Sequence, residues 1–254
     1  MTSLILAAII AQPQGALERI ELKVGDVTRQ AIIVRPKAGK APHPIVFGFH
    51  GLGGNGRNAA RSFNVHSAWP EAVVLYPFGL ATVTQRGPNG DRPGWSGRSG
   101  SRDFDFFDAL LTHTIEKEKG DPKKVVVMGH SNGGGFTYGL WAFRSDKIAA
   151  FAPSAAAGAR PNLTPKPAFL MMGRADTVVP YDRQIESLKR LVQTNLKTTY
   201  ENLPKPTDTA KTAKGEVRTW KTPTPLAVYE HPGAHEFPSD AIPSMVEFMK
   251  KVLE

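Results

Sequence analysis

Ser131 stands in the run Gly129-His130-Ser131-Asn132-Gly133, a Gly-x-Ser-x-Gly spacing with Val125-Val126-Val127-Met128 before it and Gly134-Gly135-Phe136 after it. The apolar run reads as a buried strand and the small residues as the start of a helix. A serine between the two occupies a strained turn with its hydroxyl above the sheet edge, the position of a nucleophile. Glycine at 129 and 133 keeps β-carbons out of a turn crowded by neighbouring backbone. The N-terminus of the helix faces any negative charge that develops there. A free hydroxyl is almost fully protonated at neutral pH, so this serine needs a base.

With a nucleophile at such a turn, the partners follow in the order serine, acid, histidine. Two histidines come after Ser131, His231 and His235. His231 lies at the end of the apolar run Leu226–Glu230, with little freedom to reach across. His235, in Pro232-Gly233-Ala234-His235-Glu236-Phe237-Pro238, is the preferred base. For the acid, Asp176 follows the apolar Phe169-Leu170-Met171-Met172 in Gly173-Arg174-Ala175-Asp176. It falls at the carboxyl end of a strand, where open α/β sheets bind ligands. Asp182 and Asp146 compete, but they read as helix-start or exposed-turn residues. Asp176 is expected to orient the imidazole and stabilise the imidazolium without taking the proton itself.

Ile45-Val46-Phe47-Gly48-Phe49 runs into the glycine-rich His50-Gly51-Leu52-Gly53-Gly54-Asn55. The backbone N–H groups of Leu52 and Asn132 are the expected oxyanion hole, one such donor being worth about 3 kcal/mol of barrier. His50 is read as a brace for the loop. Trp95, in Gly94-Trp95-Ser96, is a candidate for lining the cleft by stacking on an aromatic or sugar ring, with packing of its own loop as the alternative. Arg98 and Arg102 either meet a carboxylate or face water, and Asp103 and Asp105 are read as loop and helix-cap residues. No metal and no organic cofactor is required.

The elements that must position these groups alternate along the chain. Candidate strands are Ile20–Val24, Ala31–Arg35, Pro44–Phe49, Val73–Tyr76, Val125–Met128, Ala149–Pro153, Ala168–Met172 and Leu226–Glu230. Candidate helices are Gly56–Val65, Asp105–Lys119, Gly133–Arg144, Arg183–Leu196 and Ile242–Val252. Strands apolar at successive positions are buried on both faces, the mark of a mostly parallel sheet with helices on each side. Residues 196–225, rich in Thr, Lys and Pro, interrupt the rhythm and read as a solvated excursion, with a lid over the site as the alternative.

Composition sets the bounds. A chain of 254 residues with 41% hydrophobic and 22% charged residues suits one packed domain, placed at 17–254. The absence of cysteine removes disulfides, thiolate metal sites and a cysteine nucleophile. The net charge is +9, and between Arg183 and Pro225 nine Lys/Arg face four acids. These charges are broken up by Thr and Pro with no nucleic-acid module, so they read as a solvated basic face rather than a nucleic-acid site. The run Leu4–Ala11 is too short to span a bilayer, which needs about 20 residues. It reads instead as the apolar core of an export signal over residues 1–16, implying a secreted or periplasmic protein, with a cytoplasmic one as the alternative.

His50-Gly-Leu-Gly-Gly-Asn, Gly129-His-Ser-Asn-Gly-Gly, Gly173-Arg-Ala-Asp-Thr-Val-Val-Pro-Tyr and Gly233-Ala-His-Glu-Phe-Pro, in that order, resemble the polyhydroxybutyrate depolymerase/feruloyl esterase-like group of α/β-hydrolases. The resemblance runs from about Pro44 to Val252 and takes in the Asp103-Phe-Asp-Phe-Phe-Asp-Ala-Leu-Leu segment before the nucleophile strand. It implies an α/β-hydrolase fold and a serine esterase acting on a small ester or on an esterified polysaccharide or polyester oligomer. Leu52 stands where many relatives have Cys, Phe237-Pro238 replaces Trp-Pro, and no polymer-binding module follows the domain. These departures weigh against insoluble polyester and leave ester hydrolysis intact. The competing readings are a peptidase of the same fold and a non-catalytic polymer- or carbohydrate-binding relative.

Overall fold

The computed structural model describes residues 15–161 and 163–254. All but the last two residues of the expected export signal (1–16) therefore lie outside the described residues. No helix among the described residues is long and apolar enough to cross a membrane.

The chain begins with an antiparallel hairpin, β1 (Glu18–Val24) and β2 (Val27–Val34), followed by β3 (His43–Phe49), α1 (Gly56–Phe63), α2 (Val65–Ala68) and β4 (Val73–Pro77). A two-residue pair, β5 (Leu80–Ala81) and β6 (Pro93–Gly94), leads to α3 (Arg102–Glu118). Next come β7 (Gly120–His130), α4 (Asn132–Arg144), β8 (Ala150–Ser154), β9 (Ala168–Gly173) and α5 (Tyr181–Leu191). The chain closes with β10 (Asp208–Lys211), β11 (Glu216–Trp220), β12 (Leu226–His231) and α6 (Ile242–Val252). The large sheet has the order β1-β2-β4-β3-β7-β8-β9-β12-β11-β10. From β4 through to β12 the neighbours are parallel, and an antiparallel pair flanks them on each side.

The apolar runs do what their continuity predicts. Ile45, Phe47, Val125 and Val127 point to one face, packing with Phe104, Phe107, Leu110, Phe136 and Leu188 of α3, α4 and α5. Val46, Val126 and Met128 point to the other, packing with Phe63, Val65, Met245 and Phe248 of α1, α2 and α6. Period-two alternation thus serves two cores at once, and the sheet is covered on both faces.

Three expectations need correction. The helix over 56–65 is broken at Asn64, which turns left-handed (φ 47°) and caps α1 by donating its N–H to the Ala60 carbonyl. The helix before the nucleophile strand starts at Arg102 with Ser101 as its cap, so neither Asp103 nor Asp105 caps it. Asp103 is buried instead, and it pairs with Arg29. Residues 196–225 are largely solvated, as expected, but they hold two strands and form no lid. β10 and β11 extend the sheet beyond β12, Val217 and Trp220 are buried, and the Trp220 indole donates to the Pro204 carbonyl (2.7 Å). All four residues of β10 are exposed, so its side chains carry no strand periodicity and only backbone pairing defines it.

Candidate active site

β7 ends at His130, and α4 begins at Asn132. Ser131 between them adopts φ 56°, ψ −119°, a conformation that costs a non-glycine residue on the order of 1–3 kcal/mol and persists only where the surroundings enforce it. The enforcement is visible. Ser131 donates its N–H to the Ser154 carbonyl at the end of β8 (2.9 Å), and its own carbonyl accepts from Gly135 N (2.9 Å). A β-carbon on Gly133 would lie 2.1 Å from the Phe49 carbonyl oxygen, and one on Gly129 would lie 2.3 Å from that of Gly133. Both glycines are required by close backbone approach, as the spacing implied.

The elbow lifts Ser131 Oγ to 2.8 Å from His235 Nε2, and His235 Nδ1 lies 2.8 Å from Asp176 Oδ2. A carboxylate only accepts, so Nδ1 carries the proton and Nε2 is left to accept from the serine hydroxyl. Asp176 is 4% exposed on the loop after β9, and further donors hold its carboxylate. Val178 N and Val179 N donate to Oδ1 (2.8 and 2.9 Å), and Gln184 Nε2 donates to Oδ2 (3.1 Å). With His235 Nδ1, four donors fix the orientation of this buried carboxylate. Gln184 was not identified from the sequence, because a glutamine eight positions downstream on a helix carries no signal.

The competitors sit elsewhere. His231 is buried at the end of β12, where its ring stacks on Tyr229. Asp182 is exposed on the first turn of α5, and Asp146 lies in a short helical turn after α4. His50 braces its loop as expected. Its Nδ1 donates to the Gly51 carbonyl (2.7 Å) and its Nε2 accepts from Gly79 N (2.9 Å), which fixes a neutral tautomer. Burial pushes its pKa down.

Another histidine adjoins the triad. The His130 ring lies 4.9 Å from that of His235, with Nδ1 3.2 Å from Ser154 Oγ. Burial first, and then the neighbouring His235, lower its pKa to about 4. A neutral His130 presents no like charge to an imidazolium at 235.

A cleft of about 790 Å³ opens over Ser131, with Leu52 and Asn132 both in its wall. A β-carbon on Gly51 would be 3.3 Å from Ser131 Cβ, so the loop after β3 runs directly against the serine. Trp95 is part of the cleft wall, but its ring does not offer the stacking surface considered for it. It is 2% exposed, its indole N–H donates to the His50 carbonyl (2.9 Å), and its ring packs on Phe136 and edge-on to Phe49. Its backbone is clamped by the Asn132 side chain, whose Oδ1 accepts from Trp95 N (2.7 Å) while Nδ2 donates to Trp95 O (3.0 Å). Arg102 donates to the Ala81 carbonyl, and Arg98 is exposed outside the cleft wall. The loop between β5 and α3 lines the cleft, whereas 196–225 contributes nothing to it. Among the described residues there is no group of three or more His, Asp or Glu that could hold a metal ion.

No protein-family model matches the chain, and no curated protein matches it in sequence. Solved structures do. The acetyl xylan esterase from Aspergillus awamori superposes with a TM-score of 0.65, at 17% identity over 91% of this chain and 98% of that one. The carboxylesterase from Bacillus cereus gives 0.61, with 16% identity over 88% and 94%. The S-formylglutathione hydrolase FrmB from Staphylococcus aureus gives 0.59, with 12% identity over 96% and 100%. At these identities the likeness bears on architecture, and with the parallel sheet and its two helical layers it makes this an α/β-hydrolase fold.

Proposed function

We propose that the protein is a serine carboxylesterase hydrolysing short-chain acyl, feruloyl or hydroxyalkanoate esters. The observation that carries this reading is the unbroken relay from Asp176 through His235 to Ser131, with both links at 2.8 Å, beneath an open cleft. Ser131 Oγ attacks the ester carbonyl as His235 Nε2 takes its proton. The negative charge on the carbonyl oxygen is met by the N–H groups of Leu52 and Asn132. Collapse of the tetrahedral intermediate expels the alcohol, which leaves with the proton from His235. Water activated by the same imidazole then releases the acid and restores the serine. Asp176 holds the tautomer throughout, and a neutral His130 adds no repulsion. The four ordered motifs support placing the chain in the polyhydroxybutyrate depolymerase/feruloyl esterase-like group.

The test is hydrolysis of p-nitrophenyl acyl esters of increasing chain length beside methyl ferulate, by wild type and Ser131→Ala. Turnover that disappears in the variant supports the esterase, and the ratio between the two substrate types reports the acyl preference. Full activity in the variant would remove the mechanism. Cleavage of a peptide anilide without any ester turnover would favour the peptidase.

A further inference from the structure

Two guanidinium groups, those of Arg86 and Arg183, line the cleft over Ser131, and among the described residues no Asp or Glu lines it. Arg86 lies on the loop between β5 and β6 and reaches across to donate to the Val178 carbonyl on the acid loop. Arg183 stands exposed on the first turn of α5. Among the described residues its side chain makes no ion pair and no hydrogen bond. The adjacent Asp182 accepts from the Arg183 backbone N–H and lies outside the cleft wall. The arginines that brace the fold are paired differently: Arg29 with Asp103, Arg35 with Glu18 and Glu118, Arg144 with Asp108, and Arg174 and Arg218 with Glu230. At the cleft neither cation has an acidic partner among the described residues, and Arg183 is left free for a ligand. A guanidinium fork matches a carboxylate in plane and spacing, and a chain with net charge +9 draws anions towards it.

We propose that the cleft selects esters that carry a carboxylate near the scissile bond, with Arg183 as its receptor and Arg86 as a second cation. This rests on the esterase reading of the same site. The carboxylate belongs either to the acyl part, as in a dicarboxylic acid monoester, or to the alcohol part, as in an acylated uronic acid. Both present the same anion to the same arginines.

The experiment uses matched pairs: p-nitrophenyl hydrogen adipate beside p-nitrophenyl hexanoate for the acyl side, and acetylated galacturonic acid beside acetylated galactose for the alcohol side. The expected result is a higher kcat/KM for the anionic member of at least one pair, and that pair identifies the source. Arg183→Gln should lower the anionic-to-neutral ratio about tenfold, the size of one charge-assisted hydrogen bond. Arg190→Gln, which removes the same charge farther along α5, should leave the ratio unchanged. Turnover with no anionic preference in either pair, or with an equal ratio in wild type and Arg183→Gln, overturns the proposal. Calorimetric binding of methyl hydrogen adipate and dimethyl adipate to Ser131→Ala separates recognition from catalysis. Tighter binding of the monoester that is lost on adding Arg183→Gln supports the carboxylate site even if no ester is hydrolysed, and equal binding overturns it.

Discussion

Asp103→Ala should be among the most damaging single changes outside the triad. Asp103 Oδ1 accepts from Arg29 Nη2 (2.9 Å), and the two side chains are 0% and 2% exposed. The Arg29 guanidinium lies over the Phe106 ring at 4.1 Å, and its Nε has no partner. Burial pulls the Arg29 pKa down, and Asp103 is the group that opposes this. Truncating the aspartate leaves an uncompensated charge in a dry interior, which costs about 3–5 kcal/mol. Asp103 Oδ2 also accepts from Ser96 N (2.9 Å), so the cleft wall beside Trp95 loses an anchor in the same step. For a chain of this size each kcal/mol moves Tm by roughly 2–4 °C, so the midpoint should fall by roughly 10 °C. Arg29→Met combined with Asp103→Leu should recover most of the loss, because replacing both members of a buried pair with apolar groups is commonly neutral or better. Equilibrium urea unfolding of the wild type, the single variant and the double variant measures both effects. A single variant within about 1 kcal/mol of wild type, or a double variant as unstable as the single, would refute the reasoning.

Other outcomes follow from the same geometry. Gly133→Ala should abolish folded, active enzyme because its β-carbon meets the Phe49 and His50 carbonyls, whereas Gly135→Ala, with open space around it, should be tolerated; circular dichroism and ester hydrolysis compare the two, and an active Gly133→Ala would sink the argument. Asp176→Asn should lower kcat by about ten-thousandfold with little change in KM, since an amide favours the wrong histidine tautomer, and a kcat near wild type would remove Asp176 from its role. Stability should decline with acid. Burial holds His130 to about 4 and keeps His50, His66 and His231 below the ordinary 6.5, so below pH 6.5 the unfolded chain binds protons that the fold refuses. This contribution is complete above that value and is lost progressively towards pH 4; urea midpoints that stay flat across the interval would contradict it.

The parts of the site that could be read from the sequence are those whose local chemistry is self-announcing. Gly129 and Gly133 around Ser131 mark a turn that only glycine permits, and an apolar run ending at Gly173 before Asp176 marks a loop at the carboxyl edge of a sheet. The order of serine, acid and histidine left His231 and His235, and the position of His231 at the end of an apolar run favoured His235. What escaped detection depends on contacts across the fold. Asp103 looks like any polar residue near a helix start until Arg29, 74 positions away, is brought against it. Trp95 looks like a stacking platform until Phe136 and the His50 carbonyl occupy it. β10 escaped for a different reason, since a strand exposed at every position leaves no hydrophobic alternation to read.

The relay that joins Asp176, His235 and Ser131 spans 59 and 104 positions of sequence. The turn around Ser131 needs only β7, α4 and the end of β8, which are close together in the chain, and the loop after β3. Its base arrives only once β9 and β12 have joined the sheet in parallel, each through a long crossover whose closure entropy must be met before the contact forms. A partly folded molecule therefore displays a serine with no base, chemically no more reactive than any other hydroxyl. On the proposed mechanism, hydrolytic competence requires β9 and β12 to be in place. Its return during refolding reports completion of the sheet rather than collapse of the core.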